Sequence, residues 1–319
     1  LTTTTPGTGR SPTRARPASR PRRRPLTLRR RESRAGLALV APTLLVVIAV
    51  IGIPIVWTVV LAFQRVRLAT LRRTGLFGEF TLDNIDRVLH TPGFADSLVT
   101  TLVYSIGSTA GSIALGLVAA LVVRRPFRGR TLVRASMLLP YVAPVVAMTF
   151  VWQVMLDPQL GIVNHWGRRL LGWDAPVPFL SQESTALATV IAFEAWRYFP
   201  FAFLFLLARL QAVPADLEEA ARVDGATPTQ RFRHILLPQL MPVIALLGVL
   251  RFIMTFNKFD DVYLLTGGAA GTEVVSVRVY QFLTARTDIG AAAAQAVVLA
   301  VVLIVFVLIY LRFFARRVP

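Results

Sequence analysis

The 319-residue sequence contains no cysteine, a single lysine (Lys258) and only 16% charged residues. Without cysteine there are no disulfides, no thiolate zinc sites and no cysteine nucleophile. The scarcity of charge argues against an ordinary soluble domain, which carries about 25% charged residues. The three histidines, His90, His165 and His234, fall in different segments, so a shared metal site is not expected. A G-x-x-x-x-G-K-[ST] phosphate loop is excluded because the one lysine follows Asn257 rather than glycine. No Ser-His-Asp or paired-carboxylate arrangement stands at a readable spacing, and the pair Gly267-Gly268 reads as a turn rather than a phosphate cradle.

What the sequence does have is apolar length and positive charge, in separate places. Hydrophobic residues make up 55% of the chain, yet the formal net charge is +18. Taken alone, that charge suggests nucleic-acid binding. Residues 1 to 34 hold eleven arginines against one acid, Glu32, with no apolar run, and read as a disordered Arg/Pro-rich tail. Its start on Leu1 rather than Met is expected to reflect the choice of start codon. From Ala35 to Phe63 no residue is charged, which exceeds the roughly 20 residues that a membrane helix needs. A cleaved signal peptide is the competing reading, but its apolar core is only about 7 to 15 residues and no convincing cleavage site follows.

Further uncharged stretches run from Ser97 to Val123, Ala135 to Leu156 and Ile289 to Leu311. Two more are interrupted: Ser184 to Ala208 by Glu194 and Arg197, and Gln239 to about Tyr263 by Arg251, Lys258, Asp260 and Asp261. The fold expected is all-α, a polytopic membrane protein with six transmembrane helices over residues 35 to 319. Six crossings put both termini on one side, and basic residues choose it. The segments on the side of the termini hold 23 Arg against five acids, the opposite segments nine against nine, and the helices three against three. Both termini are therefore expected in the cytoplasm, and the excess charge becomes a topology signal.

Between the fourth and fifth spans, residues Leu210 to Pro238 predict a cytoplasmic helix-turn-helix at the membrane surface. Pro214 suits a first helical turn, with Asp216 and Glu218 near its positive end. Gly225 suits a left-handed residue past that helix, and Thr227-Pro228-Thr229-Gln230 reads as a capping box for a second helix that stops at Pro238. Ala220 and Ala221 permit close approach of a partner, and Glu219 can accept a hydrogen bond from a partner's arginine.

The run Glu219-Ala220-Ala221, then Asp224-Gly225-Ala226, then Ile235-x-Leu237-Pro238 resembles the EAA loop of permease subunits in binding-protein-dependent ABC importers. FTLDNIDRVLHTPGFADSLVTTL, MLLPYVAPVV, AWRYFPF and FNKFDDVYLLTGG are similar to segments of the maltose-type, carbohydrate-uptake permeases. The resemblance spans roughly Arg34 to Arg317. It implies that Glu219, Ala220, Ala221, Asp224, Gly225, Ile235, Leu237 and Pro238 couple the chain to a cytoplasmic ATPase dimer. ATP and Mg would be bound by that partner, with no cofactor or metal in this chain and no enzymatic activity of its own. A second permease subunit, an extracytoplasmic solute-binding protein and membrane lipid are the other implied partners, and the location is the bacterial inner membrane.

Ionisable residues within membrane helices are functional candidates, because hydrocarbon penalises them. Glu194 and Arg197 are three apart and can pair with each other, while Arg251, Thr255 and Lys258 at i, i+4 and i+7 form one stripe. Trp196, Tyr198 and Phe201 offer aromatic faces. The family places sugar contacts in these two segments, so by position the candidates are Arg197, Tyr198, Phe201, Arg251, Thr255 and Lys258. Arg251 and Lys258 depart from the smaller uncharged groups of a maltose site, which leaves a glycerol-phosphate-type solute as the alternative. An ion-coupled secondary transporter using Glu194, Asp260 or Asp261 is a rival, as is a membrane-anchored nucleic-acid binder, but neither explains Leu210 to Pro238.

Overall fold

The computed structural model describes residues 2, 38–69, 72 and 79–314. The Arg-rich tail expected over residues 1–34 lies, Thr2 apart, outside the described residues. The chain divides into two units, residues 1–56 and 57–319. The described residues are helical apart from connecting loops and two isolated β-bridges, Gln64 with Phe80 and Arg67 with Asp288.

The helices are α1 (Ala38–Ala62), α2 (Asp83–His90), α3 (Phe94–Val123), α4 (Arg130–Met137), α5 (Leu139–Val142), α6 (Val145–Met155) and α7 (Ile162–Leu170). They continue with α8 (Glu183–Gln211), α9 (Ala215–Val223), α10 (Pro228–Phe256), α11 (Asp260–Thr266), α12 (Val275–Thr284) and α13 (Ile289–Phe314). Five of these, α1, α3, α8, α10 and α13, are long and apolar enough to cross a membrane, and the count is six when the bent third span is taken as one. The all-helical, six-span expectation therefore holds, with one span broken.

That break corrects the expectation of a continuous helix from Ala135 to Leu156. Arg130–Val142 and Val145–Met155 meet at 97°. Pro144 is the physical cause: it has no N–H to continue the ladder, and it holds Ala143 extended at ψ 144°.

Prolines elsewhere are absorbed rather than obeyed as stops. The expectation that the second helix of the loop ends at Pro238 fails, because α10 runs through it to Phe256. A π turn at Phe232–Leu236, closed by the Leu237 N–H on the Phe232 carbonyl, widens the helix where the Pro238 ring would strike the His234 carbonyl. The same device precedes Pro54 in α1, where the Ile53 N–H bonds the Ile48 carbonyl. The fifth span also ends earlier than expected, at Phe256 instead of about Tyr263, so Lys258, Asp260 and Asp261 follow the helix rather than extend it.

Small residues set the central packing. A Cβ on Gly111 of α3 would stand 2.9 Å from the Ala195 Cβ of α8, and one on Gly116 would stand 2.8 Å from both the Ala202 Cβ and the Phe203 nitrogen. Glycine at these positions lets the two backbones approach, the usual route to helix association where lipid removes the hydrophobic drive. Ala119, Ala120, Phe203, Leu206, Leu236 and Leu240 form a buried cluster at the Val123 end of this pair. Val99, Val103, Val118 and Val122 lie on the exposed side of α3, as suits hydrocarbon contact. At the other end Asn84 of α2 donates to the carbonyls of Ala62 (3.1 Å) and Gln64 (2.7 Å), and Asp288 both caps α13 through the Ala291 N–H and pairs with Arg67 and Arg87.

Candidate functional site

Glu194 of α8 and Arg251 of α10 face each other within the 57–319 unit, both essentially without solvent exposure. Arg251 Nη2 donates to Glu194 Oε1 at 2.9 Å, and the Thr255 hydroxyl approaches the same oxygen at 3.4 Å. The pairing expected within α8, Glu194 with Arg197, does not form. Glu194 finds its cation on another helix, and Arg197 turns to the backbone of the broken span, donating to the carbonyls of Ala143 (3.1 Å) and Pro140 (3.5 Å).

Tyr198 links these charges. Its ring has the Arg251 guanidinium carbon at 4.2 Å, the Lys258 ammonium at 4.7 Å and the Arg197 guanidinium carbon at 5.6 Å from the centroid, and its hydroxyl accepts from Lys258. Lys258 also pairs with Asp260 (3.2 Å) and Asp261 (3.4 Å), the latter fully buried. Tyr141 of α5 meets Tyr198 edge-on at 5.8 Å and lies 6.3 Å from Phe201. Three of the substrate-side candidates, Arg197, Arg251 and Lys258, thus gather around a fourth, Tyr198, while Thr255 joins through Glu194 and Phe201 through Tyr141. Lys258 keeps its place on this face although it lies off the helix. Arg197, Arg251 and Thr255 are buried, whereas Tyr198, Phe201 and Lys258 keep partial exposure.

Tyr104 of α3 also belongs to this neighbourhood and was not singled out from the sequence. It is fully buried, and its hydroxyl and Glu194 Oε2 lack a hydrogen-bond partner among the described residues. The available signal was its position as the aromatic residue in a stripe of Thr101, Ser105, Ser108 and Ser112. Among the described residues no group of three His, Asp or Glu side chains suits a metal ion.

The second candidate region is the loop before α10. Helix α9 has no buried residue; Glu219, Ala220, Asp224 and Gly225 are exposed and Ala221 partly so. Gly225 adopts φ +77°, the left-handed conformation expected of it. Thr227 accepts from the Gln230 N–H while the Gln230 side chain accepts from the Thr227 N–H, which completes the expected capping box. Ile235, Leu237 and Pro238 lie within α10 rather than at its end, so the second helix of the loop is continuous with the helix bearing Arg251. Glu218, not Glu219, is tied down, by Arg124 at the end of α3.

Comparisons with known proteins bear on the family and the fold. The family model described as "Binding-protein-dependent transport system inner membrane component" matches residues 112–318. The chain is 37% identical over 275 residues to the inner membrane ABC transporter permease protein YcjO of Escherichia coli, covering 86% of this chain and 92% of that one. It is 32% identical over 286 residues to the trehalose/maltose transport system permease protein MalF of Thermococcus litoralis, covering 89% and 95%. To the sn-glycerol-3-phosphate transport system permease protein UgpA of Agrobacterium fabrum it is 34% identical over 265 residues, covering 81% and 89%. Among solved structures, a chain of a bacterial ABC transporter involved in the import of the acidic polysaccharide alginate shares the fold, with a TM-score of 0.76 over 91% of this chain and 98% of that one at 23% identity. The chain belongs to the family of inner membrane components of binding-protein-dependent transport systems, as a multi-pass ABC transporter permease.

Proposed function

We propose that this chain forms one half of the translocation path of an importer that carries a sugar or related polyhydroxylated solute into the cytoplasm. Its partners are a second permease subunit, a cytoplasmic ATPase dimer that binds ATP and Mg, and an extracytoplasmic solute-binding protein. Residues 35 to 319 span the lipid with both termini cytoplasmic and 1 to 34 as a separate tail, and the chain performs no catalysis, holds no cofactor or metal and binds no nucleic acid. The observation that carries this reading is the continuity of α10. This one helix, roughly 40 Å long at 1.5 Å per residue, joins the exposed α9 loop to Arg251 and Thr255.

In this reading Glu219, Ala220, Ala221, Asp224 and Gly225 meet the ATPase, and Ile235, Leu237 and Pro238 pass its movement into the span. Arg197, Tyr198, Phe201, Arg251, Thr255 and Lys258 line or brace the solute path. An uncharged solute is favoured over a glycerol-phosphate-type one, because Arg251 and Lys258 already have carboxylate partners and Arg197 is engaged by two carbonyls. The test is uptake of labelled disaccharides by proteoliposomes holding the complete transporter. Glu219→Lys is expected to abolish ATP-driven uptake while the four-subunit membrane complex still assembles; normal uptake by that variant would overturn the coupling role.

A further inference from the structure

The break in the third span leaves backbone groups that the membrane interior does not forgive. In an unbroken helix the residue-144 N–H would bond the Pro140 carbonyl, four residues back, but Pro144 has none. The α5 helix ends at Val142, and the Ala143 carbonyl, in extended backbone, likewise has no helical donor. A carbonyl left without a donor in hydrocarbon is strongly penalised, since no water is there to replace the missing bond. Both carbonyls are met by one side chain: Arg197 Nη2 donates to Ala143 at 3.1 Å and Nη1 to Pro140 at 3.5 Å. The planar fork of a guanidinium can bridge two acceptors, which a lysine ammonium on the same stem does less well. Tyr141, between these acceptors, adds its edge-on contact with Tyr198, next in sequence to Arg197.

From this geometry we infer that Arg197 is a positioning residue that clamps the bend of the third span to α8, rather than a residue that contacts the solute. The inference rests on the transport reading only for its kinetic arm. Through Arg197 the end of α5 is tied to the helix that carries Glu194 and Tyr198, on which α6 packs separately through Trp152 against Phe193 and Trp196. The two arms of the bend and the charge cluster then change place together during transport.

The chain has no cysteine of its own, so Leu132→Cys on α4 and Val154→Cys on α6, both exposed positions, place a spin-label pair across the bend. In the complete transporter a narrow distance distribution is expected for the parent. Arg197→Met is expected to broaden it toward longer distances and to lower the maximal uptake rate with the half-saturation concentration unchanged. A retained narrow distribution overturns the inference, whether uptake is unchanged or the half-saturation concentration rises, the latter identifying Arg197 as a solute contact. If Arg197→Met does not accumulate in the membrane, Arg197→Lys decides the matter: broadening supports the clamp and the parental distribution overturns it. The spectroscopic arm needs no solute, so failure of the transport reading leaves it intact.

Discussion

Arg251 and Glu194, 57 residues apart and on different helices, form an ion pair of 2.9 Å with essentially no solvent exposure on either side chain. A buried pair of this kind is expensive to break from one side only, since the survivor keeps its charge without its partner. Arg251→Met alone or Glu194→Leu alone is expected to destabilise the protein by about 3–5 kcal/mol. The double substitution is expected to recover most of that loss, because no charge is then left unpaired. Thermal denaturation of the detergent-solubilised transporter measures this; additive losses in the double variant would show that the two side chains do not act as a pair.

The link between Arg124 and Glu218 ties α9 to the end of α3 with both side chains mostly covered. Reversing either charge, Arg124→Glu or Glu218→Arg, is expected to release α9 and lower uptake per ATP hydrolysed, and the joint reversal is expected to restore most of it. The ratio of transported solute to released phosphate in proteoliposomes is the measurement. Equal defects in the single and double variants would assign these residues separate roles.

How much of this arrangement could be read from the sequence depended on the range of the forces involved. The capping box at Thr227 and the left-handed Gly225 are set by neighbours within three residues, and both were legible. The spans were legible because length and charge alone define them. The partner of Glu194 was not: spacing offered Arg197 on the same helix face, but Arg197 was claimed by carbonyls that only the broken span exposes. Pro238 and Pro144 look alike in sequence yet act differently, because a π turn absorbs the first while the second follows an extended residue. That distinction comes from packing, which no local pattern encodes.

Gly225 allows a separation of backbone strain from contact. Its φ is +77° and a Cβ there would meet nothing within 4 Å, so any penalty of Gly225→Ala is conformational, about 1–2 kcal/mol. Asparagine tolerates the left-handed region better and should lose less coupling than alanine. Proline should lose most, since it fixes φ near −65° and removes the N–H that bonds the Arg222 carbonyl. Solute-to-phosphate ratios should therefore fall in the order Gly, Asn, Ala, Pro; indifference to the substituent would mean that the turn has no part in transmitting force.

Gly116 and Gly248 contrast a helix contact limited by backbone, between α3 and α8, with one limited by a side chain, between α10 and α13. A Cβ at Gly116 would stand 2.8 Å from the Phe203 nitrogen and the Ala202 Cβ and 3.0 Å from the Phe199 carbonyl, so α3 and α8 must separate to admit it. A Cβ at Gly248 would stand 3.0 Å from the Tyr310 hydroxyl, the far end of a side chain that can shift at the expense of its 2.8 Å bond to the Ala245 carbonyl. Overpacking typically costs about 1–3 kcal/mol, more where the neighbour cannot move. Gly116→Ala is accordingly expected at or beyond the upper end of that range and Gly248→Ala near the lower end. Separation of α3 and α8 also loosens the cluster of Ala119, Ala120 and Phe203, so Gly116→Ala should speed protease cleavage of the purified protein as well as lower its melting temperature. Equal melting temperatures for the two variants would mean that a backbone neighbour limits the packing no more than a side-chain neighbour does.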